Sequence, residues 1–139
     1  MNYNTIMKAY IAGPLLTPKN QELLEKIDNI CKEFNIDTFL PHRDVGVYQT
    51  GEDSKRFFKG DSEPLNECSF MVAVLNWKGI GSGTAWEIGY AYAKGIPVIG
   101  LVEDIKSLKI QERMCVMCYN SVILIDSLDK LRYEIKKLI

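Results

Sequence analysis

Hydrophobic and polar positions alternate along the chain in blocks that predict strands separated by helices. Apolar runs predict strands over residues 7–13, 36–40, 69–75, 96–102 and 122–125. Apolar residues at helical spacing, or capping residues before a periodic segment, predict helices over residues 21–34, 61–68, 84–94, 107–119 and 128–138. Residues 42–60 are polar and contain glycine, which predicts a long loop with one helical turn at most.

The order of these elements indicates the fold class. The runs 69–75 and 96–102 are almost continuously apolar, as in strands buried on both faces of a parallel sheet. Parallel neighbours need crossover connections, which helices usually supply. We therefore expect an α/β fold over residues 1–139: a single flavodoxin-like or Rossmann-like three-layer domain with a five-stranded parallel sheet. Ligands in such folds bind beyond the carboxyl ends of the strands, where the strand order reverses.

The charge and hydrophobic composition argue against a nucleic-acid-binding protein and against a membrane protein. The 17 Lys and Arg residues against 18 Asp and Glu give a net charge of −1, and no basic block suits a nucleic acid. Hydrophobic residues make up 47% of the chain, but no apolar run reaches the ~18 residues that span a bilayer. Residues 1–8 lack the pattern of a secretory signal. We expect a soluble, cytoplasmic, single-domain protein.

The four cysteines are Cys31, Cys68, Cys115 and Cys118. In a protein without a secretory signal they are expected to be reduced thiols. Cys115 and Cys118 have the C-x-x-C spacing of redox or zinc sites, but apolar residues flank them and a second such pair is missing. The pattern therefore favours small core residues on a buried helix.

The densest group of candidate residues follows the predicted strand 69–75. Three glycines at 79, 81 and 83 let the backbone approach a ligand, and the helix that follows offers free N–H groups to an anion. Glu87 lies three residues after Thr84, which fits a capping box. The spacing also allows a carboxylate held in the first helical turn beside a ligand, although the capping box is the more common explanation.

Two further residues allow both a structural and a chemical interpretation. Asp61 precedes Pro64 and suits a helix N-cap, or a second carboxylate that faces Glu87. Two carboxylates across one cleft can divide their roles, one ionised and the other a proton donor. Tyr10, inside the first strand, suits the core or a hydroxyl that orients a carboxylate.

Other polar and aromatic residues also allow both a structural and a functional interpretation. His42 and Asp44 follow the second strand as solvated charge, or as groups that recognise the edge of a ring. Four aromatic side chains could stack on a flat ligand, although packing is their more common role: Phe57, Phe58, Trp77 and Trp86.

Four segments together resemble the nucleoside 2-deoxyribosyltransferase family. They are Ala9-Tyr10-Ile11-Ala12-Gly13-Pro14, Phe39-Leu40-Pro41-His42-Arg43-Asp44, Asp61 eight residues before Ser69, and Gly83-Thr84-Ala85-Trp86-Glu87-Ile88-Gly89-Tyr90. The family includes 2'-deoxynucleoside 5'-phosphate N-hydrolases and cytidine-monophosphate hydrolases. The resemblance implies a nucleoside or nucleotide substrate, no cofactor or metal, and a homodimer or larger homo-oligomer.

The resemblance also implies roles for individual residues. Glu87 would be the nucleophile that forms a covalent glycosyl-enzyme, Tyr10 would hold it, and Asp61 would protonate the departing base. The matched positions implied to bind substrate are Gly13, Pro14, His42, Asp44, Gly81, Ser82, Gly83 and Cys115.

The chain departs from the transferase pattern at two of these positions. Gly81 stands where transferases carry Asp, and Cys115 aligns with an Asn that a partner subunit supplies. The N-hydrolases place a serine against a 5'-phosphate, and Ser82 lies one position away. Transfer to a base and hydrolysis both remain open, and the missing Asp favours a 5'-monophosphate substrate. A non-catalytic nucleotide-binding module of flavodoxin-like fold is the alternative function.

Overall fold

The computed structural model describes residues 6–75, 79–103 and 115–139. Its strands are β1 (Lys8–Ala12), β2 (Asp37–Phe39), β3 (Phe70–Val74), β4 (Val98–Leu101) and β5 (Ile123–Ile125). Its helices are α1 (Pro18–Glu33), α2 (Pro41–Asp44), α3 (Ser54–Glu67), α4 (Ser82–Ala93), α5 (Val116–Asn120) and α6 (Leu128–Leu138). No helix within these described ranges is both long enough and apolar enough to cross a bilayer.

The five strands form one sheet in the order β2-β1-β3-β4-β5. All four pairings are parallel, and Tyr10 of β1 lies between Phe39 of β2 and Met71 of β3. From β1 the chain adds β2 at one edge of the sheet, and it then adds β3, β4 and β5 in turn on the other side of β1. The order therefore reverses between β1 and β3, which confirms the predicted α/β class with a parallel sheet.

Helices cover both faces of the sheet. Successive side chains along β1 point to opposite faces, so they belong to two different apolar clusters. Ala9 and Ile11 pack with Leu24 of α1 and Leu131 of α6. The neighbours on the opposite face are Tyr10 and Ala12, which belong to a second cluster with Leu65 of α3 and Ile88 of α4. The site residues on α3 and α4 thus share one face of the sheet with Tyr10.

The long loop predicted over residues 42–60 is wrong at both ends. Pro41 begins the short helix α2, and α3 begins at Ser54 with Asp53 as its N-cap, so Pro64 lies inside the helix. An interior proline costs about 3 kcal/mol. Burial of Phe57 and Leu65 offsets this cost, and Gly60 lets α3 approach Val45, whose Cγ2 would lie 2.9 Å from an added Cβ.

The remaining boundaries differ by a few residues from the predictions. Pro18 starts α1 behind the N-cap Thr17, three residues before the predicted start. Gly95 follows the end of α4 with φ +73°, as expected for a glycine that terminates a helix. The predicted helix 107–119 falls largely outside the described residues, which include only its end as α5.

Candidate active site

The site begins with a hydrogen bond between the first strand and the fourth helix. Tyr10 is fully buried, and its ring stacks on Phe39 with centroids 5.1 Å apart. Its phenolic O–H donates to Oε2 of Glu87. Because the ring is clamped in the core, the hydroxyl holds the carboxylate in one position. Both interpretations of Tyr10 thus fit what is observed, since its ring packs in the core and its hydroxyl contacts a carboxylate.

Glu87 is not the partner of a capping box. The helix α4 begins at Ser82 with Gly81 as N-cap, which makes Glu87 its sixth residue and places it one turn deeper than predicted. Thr84 is buried inside the helix rather than at its cap. The carboxylate therefore has no capping role and turns toward Tyr10.

Asp61 occupies the middle of α3 and not a helix cap. Its Oδ1 is buried and has no hydrogen-bond partner among the described residues. A buried carboxylate oxygen without a donor is costly, and native proteins rarely keep one without a reason. A donor on a bound ligand would satisfy this oxygen.

Burial raises the pKa of both carboxyl groups. Desolvation raises the pKa of Glu87 to about 7; the Tyr10 hydrogen bond lowers it in part, and the charge of Asp61 raises it further. Desolvation also raises the pKa of Asp61 to about 6. The pKa of Tyr10 is far above its usual value, first because of burial and then because of Glu87. Two carboxyl groups that influence each other and titrate near neutrality are typical of acid–base and nucleophilic sites.

Both carboxyl groups line one cavity of about 450 Å³ between α3 and α4. The other residues that line it are Phe58, Ser62, Leu65, Ser82, Gly83 and Trp86. Phe58 and Trp86 meet edge to face, with centroids 5.7 Å apart, and are 63% and 48% exposed. They thus form a wall of the cavity, whereas Phe57 is buried in the core and Trp77 lies outside the described residues. The sequence patterns did not identify Ser62 and Leu65 as site residues, although both lie close to Asp61 along α3.

His42 and Asp44 are not among the residues that line this cavity. Asp44 accepts the Leu40 N–H at 2.9 Å and pairs with Arg43 at 2.8 Å, and this pairing lowers the pKa of Asp44. His42 is largely buried, and its Nε2 lies 3.3 Å from Glu25 Oε1. Both residues anchor α2 within the fold.

The remaining predicted positions are distributed around the carboxyl ends of the strands. A Cβ on Gly13 would lie 2.9 Å from Val74 Cβ, so this glycine permits close packing of β1 against β3. Pro14 lines a different cavity, of about 480 Å³, beside α1. Gly81 is exposed, and a Cβ there would meet nothing within 4 Å. Cys115 is exposed before α5, which corrects the prediction that it is buried.

A third cavity, of about 470 Å³, lies along the edge strand β2. Most of its charged lining is already paired: Lys8 lies 3.7 Å from Glu67, Lys32 lies 2.6 Å from Asp28, and Arg43 bonds to Asp44. No cluster of three or more His, Cys, Asp or Glu residues that could hold a metal ion is found within the described ranges. The cavity between α3 and α4 is therefore the strongest candidate for catalysis.

The fold and this pair of carboxyl groups define an α/β protein with a buried acidic site beside a glycine-containing loop. The sequence profile of the nucleoside 2-deoxyribosyltransferase family matches residues 9–131. The chain belongs to that family. A search of curated proteins finds no significant match.

Solved structures show the same fold. A conserved protein from Enterococcus faecalis V583 is 28% identical, with TM-score 0.76, over 96% of this chain and 99% of that one. The 2-deoxyribosyltransferase from Bacillus psychrosaccharolyticus is 20% identical, with TM-score 0.75, over 94% and 95%. The CMP N-glycosidase BcmB from Clostridium botulinum is 16% identical, with TM-score 0.59, over 95% and 99%.

Proposed function

We propose that this protein cleaves the N-glycosidic bond of 2'-deoxynucleosides or their 5'-monophosphates through a covalent intermediate on Glu87. The observation that carries the proposal is the Tyr10 hydrogen bond, which holds the Glu87 carboxylate at a cavity shared with Asp61. Family membership supports a nucleoside substrate. A nucleotide-binding module would need neither carboxylate.

In the first step, an oxygen of ionised Glu87 attacks the anomeric carbon of the sugar. The bond between that carbon and the base nitrogen breaks, its electron pair leaves with the base, and protonated Asp61 supplies a proton to the base. A carboxylate nucleophile divides one difficult displacement into two easier steps, each with an oxocarbenium-like transition state. In the second step, a second base or water attacks the same carbon, Glu87 leaves, and Asp61 takes back the proton.

Both carboxyl groups titrate near neutral pH, so the form with Asp61 protonated and Glu87 ionised is populated there as the minor of the two singly protonated forms. Asp61, with a pKa of about 6, retains enough protonated form near neutral pH to act as a general acid. Glu87, with a pKa of about 7, must be ionised to attack, and the Tyr10 hydrogen bond favours that form. Tyr10 is therefore a positioning residue for the nucleophile.

The start of α4 supports a 5'-monophosphate as the preferred substrate. Ser82 and Gly83 line the cavity at the first turn of this 12-residue helix, where backbone N–H groups lack intrahelical partners. The first turn contains no acidic residue, so its positive end is not neutralised from within the helix. A phosphate gains more than a hydroxyl from such a position.

The test is the release of free base from deoxynucleosides and their 5'-monophosphates, with and without an acceptor base. We expect release by the natural chain and none by Glu87→Gln. Glu63→Gln on α3 is the matched control, because that carboxylate is exposed and pairs only with Lys59 among the described residues. Ligand binding without base release by the natural chain would favour the nucleotide-binding module.

A further inference from the structure

The C-x-x-C pair at Cys115 and Cys118 has no place in the proposed function, because neither cysteine lines the cavity of Asp61 and Glu87. Cys115 is exposed at the N-cap of α5, and Cys118 is the third residue of that helix and only 5% exposed. The three-residue spacing places both side chains on the same side of the first turn of α5. The two thiols are therefore neighbours in this turn.

We propose that Cys115 and Cys118 form a reactive dithiol that a low-molecular-weight disulfide converts reversibly into a Cys115–Cys118 disulfide. This would be a redox modification site separate from the cavity between α3 and α4. It does not depend on the proposed glycosidic activity.

The reaction is two successive thiol–disulfide exchanges. The Cys115 thiolate attacks one sulfur of the small disulfide, forms a mixed disulfide and releases one small thiolate. Cys118 then loses its proton to solvent and attacks the Cys115 sulfur, which releases the second small thiolate. Two protein thiols are oxidised to one disulfide, and the small disulfide is reduced to two thiols.

The surroundings of the four cysteines select Cys115 as the attacking group. Its exposed position gives a small disulfide access, since Val116 and Met117 beside it are 65% and 73% exposed. The backbone N–H groups at the start of α5 lower the pKa of the Cys115 thiol, whereas burial raises the pKa of the Cys118 thiol. Burial raises the pKa of Cys31 to about 12 and that of Cys68 to about 11. Only thiolates attack disulfides, so Cys31 and Cys68 should remain reduced.

The helix geometry permits the bond with a small adjustment. Side chains three residues apart on a helix have Cβ atoms about 5–6 Å apart. A disulfide needs about 3.5–4.5 Å, so the first turn of α5 must tighten by roughly 1–2 Å. Cys115 lies at the end of the helix with φ −52° and ψ 121°, outside the helical conformation, and can make this movement.

The experiment treats the reduced full chain with oxidised glutathione in the presence of a chelator, followed by acid quench, alkylation and peptide mass spectrometry. We expect a Cys115–Cys118 disulfide that dithiothreitol reverses, with Cys31 and Cys68 alkylated as free thiols. Cys118→Ser should stop at a glutathione adduct on Cys115. Cys115→Ser should react on the order of tenfold more slowly than the natural chain.

Circular dichroism of both variants checks that they fold. The proposal is overturned if the natural chain gives no disulfide under conditions in which Cys118→Ser accepts glutathione. It is also overturned if Cys115→Ser reacts as fast as the natural chain, or if neither cysteine reacts at all. Because the readout is the state of the thiols, the result is independent of whether the protein cleaves nucleosides.

Discussion

The phenolic O–H of Tyr10 donates a hydrogen bond to the Glu87 carboxylate across 77 positions of sequence. The bond joins the middle of the sheet to the second turn of α4. Because Tyr10 is fully buried and stacked on Phe39, it fixes one oxygen of Glu87 and leaves the rest of the carboxylate to the cavity. The proposed chemistry depends on this relationship.

Removal of the tyrosine hydroxyl should weaken the nucleophile without removing it. We expect Tyr10→Phe to lower kcat by up to roughly 10²-fold, since a misplaced reacting group costs about that much. The lost hydrogen bond should raise the pKa of Glu87 further, so the limb of the kcat/KM profile that follows the higher of the two pKa values should move to higher pH. Tyr133→Phe on the exposed side of α6 is the control. A lower rate with an unchanged pH profile would contradict the positioning role.

Replacement of the nucleophile should separate activity from stability. We expect Glu87→Gln to lose more than roughly 10³-fold in base release, because the covalent route is gone. Folding raises the pKa of Glu87 from 4.5 to about 7. The contribution of protonated Glu87 to the free energy of unfolding is therefore fully present below about pH 4.5 and is lost as pH rises through about 7. At pH 8 the neutral glutamine should therefore raise Tm relative to the natural chain.

Scanning calorimetry of Glu87→Gln at pH 5 and pH 8 measures this effect. The gain in Tm should be larger at pH 8. A variant that melts lower at pH 8 but keeps its turnover would show that Glu87 is a structural residue.

The proton donor can be identified by its dependence on the leaving group. We expect Asp61→Asn to reduce turnover by roughly 10²–10⁴-fold, the usual range for a general acid. Substrates with good leaving groups should lose less, because they need little protonation. The natural chain should show a bell-shaped profile with limbs near the pKa values of about 6 and about 7, and Asp61→Asn should lose the alkaline limb. Equal losses for good and poor leaving groups would exclude this role.

The preference for a 5'-phosphate can be tested at the first turn of α4. We expect the natural chain to have a higher kcat/KM for a deoxynucleoside 5'-monophosphate than for the nucleoside. Ser82→Asp should reverse this preference by repelling the phosphate. An acidic residue at a helix N-terminus stabilises by about 0.3–1 kcal/mol, so loss of folding would not explain the result. Ser62→Ala in the same cavity is the control. A natural preference for the free nucleoside would refute the assignment.

The charged cluster around α2 should contribute to stability rather than to turnover. Arg43 contacts Asp28 at 3.4 Å, Asp44 at 2.8 Å and the Thr38 carbonyl at 2.9 Å. Removing one partner of a partly buried ion pair leaves its carboxylates undercompensated. We expect Arg43→Ala to cost about 1–3 kcal/mol in the free energy of unfolding and to leave kcat within about twofold.

The pH dependence gives a second measure of the same cluster. Although burial opposes it, hydrogen bonds from Lys32 and Thr38 and the charge of Arg43 lower the pKa of Asp28 below 3.8. That stabilisation is present above 3.8 and lost as pH falls below it, so urea titrations of Arg43→Ala should show a smaller loss in acid. Arg132→Ala, which breaks exposed pairs, should cost less stability than Arg43→Ala. Equal costs for the two arginines would contradict the role of the cluster.

The parallel α/β fold could be predicted from local patterns, because continuous apolar runs and helical spacing follow directly from which side chains are buried. The sequence also identified Glu87, Asp61 and Tyr10 as residues worth testing. It could not choose between their structural and chemical interpretations, since caps contribute only about 0.5–2 kcal/mol and contacts elsewhere in the fold outweigh them.

The starting residues of α3 and α4 depend on tertiary contacts, and they determine whether Asp61 and Glu87 cap a helix or face the cavity. Burial of Phe57 and the close approach of Gly60 to Val45 extend α3 back to Ser54, and this extension places Asp61 inside the helix instead of at its cap. The start of α4 at Ser82 turns Glu87 toward Tyr10. Ion pairs with Arg43 hold Asp44 away from the cavity. These outcomes depend on contacts between residues distant in sequence, which local patterns do not encode.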